Sequence, residues 1–159
     1  MPRTSKVRIR YATLDDLDVL VHQRRGMWED MEVPGDYDAA DRAYRRWART
    51  RLKSGRLIGI LAEVGGRAVC GACIWLQDTQ PRPHVPGRFL PYLMSMYTEP
   101  EFRRRGIATR VVREVIRWSR AHGYPRLVLH ASDEGRPLYE KLGFEPTREM
   151  RLRLRPRSR

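Results

Sequence analysis

The chain has 159 residues, 41% of them apolar, and a formal charge of +13 carried almost entirely by arginine. Such a length suits one core, and such an apolar share excludes wholesale disorder. No run approaches the ~18 apolar residues of a membrane helix, and Met1 to Lys6 lacks a signal peptide's apolar stretch. The expectation is a soluble cytoplasmic protein with no membrane partner: one domain over 1–159, its core from about 7 to 154 and a basic tail over 155–159.

In chain order, Val7 to Tyr11 reads as a short strand. Thr13 opens a helix, because Thr13-x-x-Asp16 resembles a capping box with Asp in place of Glu. Leu14, Leu17, Leu20 and Val21 follow at helical spacing towards Met31. Pro34-Gly35 breaks the chain. Asp38 to Lys53 reads as a second helix with Ala39, Ala43, Trp47 and Leu52 facing inward. Leu57 to Val64 and Arg67 to Gln77 are strands joined by a hairpin turn at Gly65-Gly66. Pro81 to Gly87 is loop. Phe89 to Thr98 is a strand with an irregular entry at Pro91. Arg104 to Ala121 is the strongest helix and ends before His122-Gly123. Leu127 to His130 is a short buried strand, Glu134 to Leu142 a last helix closed by Gly143, and Phe144 to Leu154 contains a final strand. The order β-α-α-β-β-β-α-β-α-β predicts an α+β or mixed α/β fold with one twisted sheet.

Cys70-Gly71-Ala72-Cys73 spells C-x-x-C, but residues three apart on a strand face opposite sides. A redox pair would want a helix start, and zinc a second ligand pair. Both cysteines therefore read as small buried residues, and no metal site is expected.

The chemistry starts where the Phe89–Thr98 strand meets the next helix, at Thr98-Glu99-Pro100-Glu101-Phe102-Arg103-Arg104-Arg105-Gly106-Ile107-Ala108-Thr109. A helix start offers unpaired N–H groups and the positive end of the dipole, an anion site. Small Gly106 and Ala108 let a pyrophosphate reach the backbone, and Arg103, Arg104 and Arg105 add charge. Neither a Walker loop nor a dinucleotide fingerprint is present.

Arg103-x-x-Gly106-x-Ala108 resembles the Q/R-x-x-G-x-G/A motif of the GCN5-related N-acetyltransferases. Ser132-Asp133-Glu134-Gly135-Arg136-Pro137-Leu138-Tyr139-Glu140-Lys141-Leu142-Gly143-Phe144 is similar to that family's closing segment, and Ile9 to Thr13 with Asp15 to Leu17 to its opening. The resemblance implies acetyl-coenzyme A as co-substrate and direct transfer of the acetyl group to an amine. It also implies a sheet splayed between the Phe89–Thr98 and Leu127–His130 strands, where coenzyme A lies. Backbone of Met96 and Thr98 would pair with pantetheine as an added strand does. N–H groups from Arg104 to Thr109 would hold the pyrophosphate, and an N–H near Met96 or Tyr97 the oxyanion. Ser132 stands where the family often has Asn, with shorter reach. Tyr139 matches the tyrosine that protonates the departing thiolate.

A protonated amine of pKa ~10.4 needs help to lose its proton at pH 7. The strand before the cradle carries no carboxylate. Glu99, just past it, is the first choice of base; Glu29, Glu32, Glu63 and His84 are alternatives. The acceptor cleft is expected from Met27–Pro34 and Pro81–Gly87, with Trp28, Met31, Trp75 and Tyr92 as lining, and Glu29, Asp30 and Glu32 attracting the amine. Nucleic acid is a rival partner for so basic a surface, but the stripe Arg110, Arg113, Arg117, Arg120 reads better as a solvated helix face. A degenerate acyl-coenzyme A sensor is the other rival. A homodimer is only a base-rate expectation.

Overall fold

The computed structural model describes residues 6–84 and 87–154. Strand β1 (Arg8–Tyr11) leads into a single 3-10 turn (Leu14–Asp16) and helix α1 (Leu17–Asp30). The capping box forms: Thr13 and Asp16 satisfy each other's backbone N–H groups. Helix α2 (Tyr37–Lys53) is capped by Asp36, whose carboxylate accepts from the Ala39 N–H at 2.9 Å. Strands β2 (Leu57–Val64), β3 (Arg67–Asp78) and β4 (Phe89–Thr98) follow, then helix α3 (Ile107–Ala121), strand β5 (Val128–Leu129) and helix α4 (Arg136–Lys141).

The five strands lie in sequence order; the first four are antiparallel and β5 runs parallel to β4. Alternation along β2 and β3 gives each sheet face its own core. Ile60, Ala62, Cys70, Ala72, Ile74 and Leu76 meet Ile107, Val111, Val112 and Val115 of α3. On the other face Leu57, Leu61 and Cys73 meet Leu17, Leu20 and Val21 of α1 and Tyr44 and Ala48 of α2. The two thiols thus sit free in different cores, as the strand geometry demands.

Four details depart from the sequence reading. The inner face of α2 is Tyr44 and Ala48, four residues apart, with Trp47 and Leu52 packed beside them as expected, while Ala43 is exposed; the buried stripe is turned one residue round the helix from the expected Ala43–Trp47 line. Helix α3 begins at Ile107, three residues late, because Arg104 and Gly106 adopt left-handed φ values of 59° and 72°. β5 keeps only two residues of the expected four. The strand expected within Phe144–Leu154 does not form, and Met150, Leu152 and Leu154 are 94%, 82% and 84% exposed. Its alternating pattern has a strand's period, but a ladder needs a partner edge, and β5 offers two residues.

The site is positioned by β4. Gly71 faces Tyr97 while Cys73 faces Met94, so β4 spends one extra residue in a bulge, and Ser95 within it has φ 54°. A bulge bends its strand. Pairing between β4 and β5 covers only Tyr92↔Val128 and Leu93↔Leu129. From Met94 onward β4 is paired to β3 alone, and the sheet opens.

Candidate active site

The bulge and the turn that starts α3 flank this opening, and Tyr139 of α4 packs in the core on the α3 side of the sheet.

At the turn, the short 3-10 segment Pro100–Phe102 leaves β4 and the chain doubles back through Arg103. Arg104 pays a steric cost of about 1–2 kcal/mol for its left-handed φ, and Gly106 takes the same region freely. The turn aims successive N–H groups outward as a nest. The first intrahelical bond is Arg110 N–H to Gly106 C=O at 3.3 Å, so the N–H groups of Ile107, Ala108 and Thr109 have no helical acceptor. A Cβ built on Gly106 would meet nothing within 4 Å. The space beside its Cα is therefore open. Arg105 lies over the Phe102 ring. Arg103 differs from its neighbours: its Nε donates to the Thr98 C=O at 2.9 Å, and its Nη2 pairs with Asp30. That guanidinium fastens the end of α1 to the end of β4. It leaves the Thr98 carbonyl one lone pair for any further donor, and it neutralises the middle of the acidic cluster Glu29, Asp30, Glu32.

Tyr139 is 8% exposed and packs edge-on to Phe144 within the α3-side core. Burial, with Cys70 nearby, pushes its phenol up to about 12. Ser132 accepts from the Gly135 N–H at 3.1 Å, so it shapes the turn that delivers α4. Gly135 is tightly placed, since a Cβ there would lie 3.3 Å from the Tyr139 ring.

On the opposite face, Gly26 of α1 lies against Tyr97: a Cβ would come within 2.7 Å of that ring. Glu99 is 7% exposed, with His22 Nε2 2.7 Å from one carboxylate oxygen and Arg67 3.7 Å from the other. It therefore meets the surroundings through His22. Nothing in the sequence pattern pairs residues 77 positions apart. Glu63 is held by Arg8 and Arg10, and His84 is an exposed loop residue.

Two features were missed by sequence reasoning. Tyr92 Oη lies 2.6 Å from His130 Nδ1, and His130 Nε2 lies 3.0 Å from the Glu149 carboxylate. A cavity of about 430 Å³ is lined by Arg24, Ala40, Ala43, Tyr44, Trp47, Trp75 and Met94. Of the lining expected from the sequence, Trp75 is present. Trp28 stands behind Arg24 at 5.4 Å, Met31 is exposed at 49%, and Tyr92 is the cross-strand neighbour of Trp75. Val85 and Pro86 of the expected loop wall lie outside the described residues.

Residues 21–144 match the family model described as the acetyltransferase (GNAT) family. The chain belongs to the acetyltransferase (GNAT) family. Solved GNAT-fold structures agree over nearly the whole chain. A GCN5-related N-acetyltransferase from Ralstonia eutropha is 28% identical with a TM-score of 0.84, over 94% of this chain and 99% of that one. A predicted acetyltransferase from Clostridium acetobutylicum, solved with acetyl-CoA, is 29% identical with a TM-score of 0.85, over 94% and 96%. Glucosamine 6-phosphate N-acetyltransferase of Trypanosoma brucei brucei is 31% identical over 90 residues, 56% of this chain and 59% of that enzyme. The match thus spans under two-thirds of that relative. Among the described residues no helix of this GNAT chain is long and apolar enough to cross a membrane.

Proposed function

We propose that the chain transfers the acetyl group of acetyl-coenzyme A directly to a primary amine. The observation that carries this reading is the opened β4 edge, which runs from the Ser95–Met96 bulge to the turn at Arg104–Gly106. Pantetheine fits that edge as a short added strand along Met96 to Thr98. The pyrophosphate takes the N–H groups from Arg104 to Thr109, with Arg105 supplying charge. Arg103 contributes by holding the edge in place.

Positioning supplies much of the rate. An N–H of the bulged segment, at Met96 or Tyr97, holds the oxygen of the tetrahedral intermediate. Tyr139 donates to the leaving sulfur. With its phenol near 12 and a free thiol near ~8.5, complete proton transfer is uphill by about 5 kcal/mol. Tyr139 therefore acts as a hydrogen-bond donor whose proton passes over as charge builds on sulfur. Glu99, the base expected from the sequence, stands behind His22, which lies between it and the surroundings.

Calorimetry with acetyl-coenzyme A tests the reading on wild type, Arg105→Glu/Gly106→Glu and Tyr139→Phe. Micromolar binding lost in the double variant, with Tyr139→Phe binding normally but turning over an amine panel about 100-fold more slowly, is the expected result. Absence of wild-type binding at moderate salt would remove the proposal.

A further inference from the structure

The 430 Å³ cavity has a chemistry of its own. Its walls are aromatic: Tyr44 stacks on Trp47 at 5.8 Å and Trp47 meets Trp75 edge-on at 5.3 Å. Its one charged lining residue, Arg24, lies over the Tyr44 ring, 4.6 Å from the centroid. The neighbouring arginines are spoken for, Arg25 by Asp38 and Asp41 and Arg45 by Asp18, whereas Arg24 has no carboxylate partner among the described residues. A guanidinium held on an aromatic face keeps its fork free and pre-aimed for a planar anion. Met94, the last paired residue of β4 before the bulge, lines the cavity, so a ligand seated here lies beside the opened edge of β4.

Resting on the acetyltransferase reading, we infer that the acceptor is an amine carrying an aromatic or bulky apolar group together with a carboxylate, and that Arg24 binds the carboxylate. The volume suits a molecule the size of one amino acid. A polycation such as an aminoglycoside would set its charges against Arg24.

Initial rates with L-phenylalanine, L-phenylalaninamide, phenethylamine and kanamycin test this, for wild type and Arg24→Gln, with acetyl-coenzyme A binding measured on the same samples. The carboxylate-bearing amine should show the highest kcat/KM, at least tenfold above its amide. Arg24→Gln should abolish that preference while coenzyme binding stays unchanged. Preference for kanamycin, or an amide used as well as the acid, overturns the inference and leaves the acetyltransferase reading standing. Loss of coenzyme binding in wild type would instead strike the parent reading.

The hydrogen-bonded chain Tyr92–His130–Glu149 supports a second, independent inference. Glu149 accepts from His130 Nε2–H, which leaves Nδ1 as acceptor for the Tyr92 hydroxyl. Tyr92 lies on the cavity face, across from Trp75. The His22–Glu99 pair departs from α1 two residues from Arg24, about 200° around the helix, on the flank away from the cavity. The geometry points to Tyr92 as the group that receives the acceptor's proton. The ammonium N–H gives its proton to Tyr92 Oη, Tyr92 passes its own to His130 Nδ1, and the imidazolium is held by Glu149. The freed amine lone pair attacks the thioester carbon. His130 and Glu149 are positioning residues, and Arg151 is the other charge facing the group.

The pH dependence of kcat/KM decides it. His130→Gln and Tyr92→Phe should each lose about 100-fold with the acidic limb removed and the KM for acetyl-coenzyme A unchanged. Glu149→Gln should move that limb to lower pH, since the imidazolium loses its partner. An unaltered limb in His130→Gln overturns the inference, and a limb lost in His22→Gln instead assigns the proton to the Glu99 side.

Discussion

Gly106 shows how much one residue decides. Its φ of 72° turns the chain into α3, and a Cβ there would meet nothing within 4 Å. In Gly106→Ala the backbone strain costs about 1–2 kcal/mol, and the new methyl enters the space proposed for the pyrophosphate. Coenzyme A affinity should fall at least tenfold by calorimetry, while the thermal midpoint drops by only a few degrees. The sequence marked Gly106 and the arginines beside it as an expected anion site, because a helix start and a small residue are local features. It did not distinguish Arg103 from Arg105. Arg103 is turned inward by Asp30, 73 residues earlier in the chain, and only the fold brings those two together.

Among the elements, the opening strand and turn are tied together by one side chain. Arg10 reaches Asp16 with two hydrogen bonds of 2.7 and 2.8 Å and Glu63 of β2 through its Nε. Asp16 also accepts from the Thr13 N–H at 2.8 Å. The capping box was legible from four consecutive residues, but its third partner was not. Arg10→Met leaves two carboxylates, each 8% exposed, short of a cation. Removing one partner of a buried pair costs 3–5 kcal/mol; Arg10 is partly exposed and Glu63 keeps Arg8, so about 2 kcal/mol is expected. Urea unfolding should show it as a lower midpoint with unchanged slope.

For the whole molecule, the ionisable groups set a stability window. Arg10 holds Asp16 and Glu63 below the usual carboxylate range. Their contribution is present above ~4 and is lost as pH falls through the folded values. Burial acts oppositely on the neutral acids of the core, pushing Cys70 up to about 11, and Cys73 and Tyr139 up to about 12. The unfolded chain ionises these from ~8.5 for Cys and ~10 for Tyr, so their contribution is full below those values and disappears as pH rises through the folded ones. A pH series of thermal midpoints should show a plateau from about 5 to 8 with a fall on each side. A flat profile up to pH 11 would mean the thiols and phenol are not buried as described.

Taken alone, the sequence determined the element order as far as the last helix, the hairpin at Gly65-Gly66 and the turn into α3 at Gly106. Each rests on spacing within about fifteen residues, where periodicity, capping and turn residues act directly. Only the tertiary structure decided where β4 leaves β5, because a bulge is a count of residues on one strand against those on another. It likewise decided that Phe144–Leu154 stays unpaired, since a strand's pattern does not supply an edge. Arg24 with its aromatic bed and the Tyr92–His130–Glu149 chain depend on residues from separate helices and strands. Their proximity is a product of packing on the two faces of the sheet, which no local pattern records.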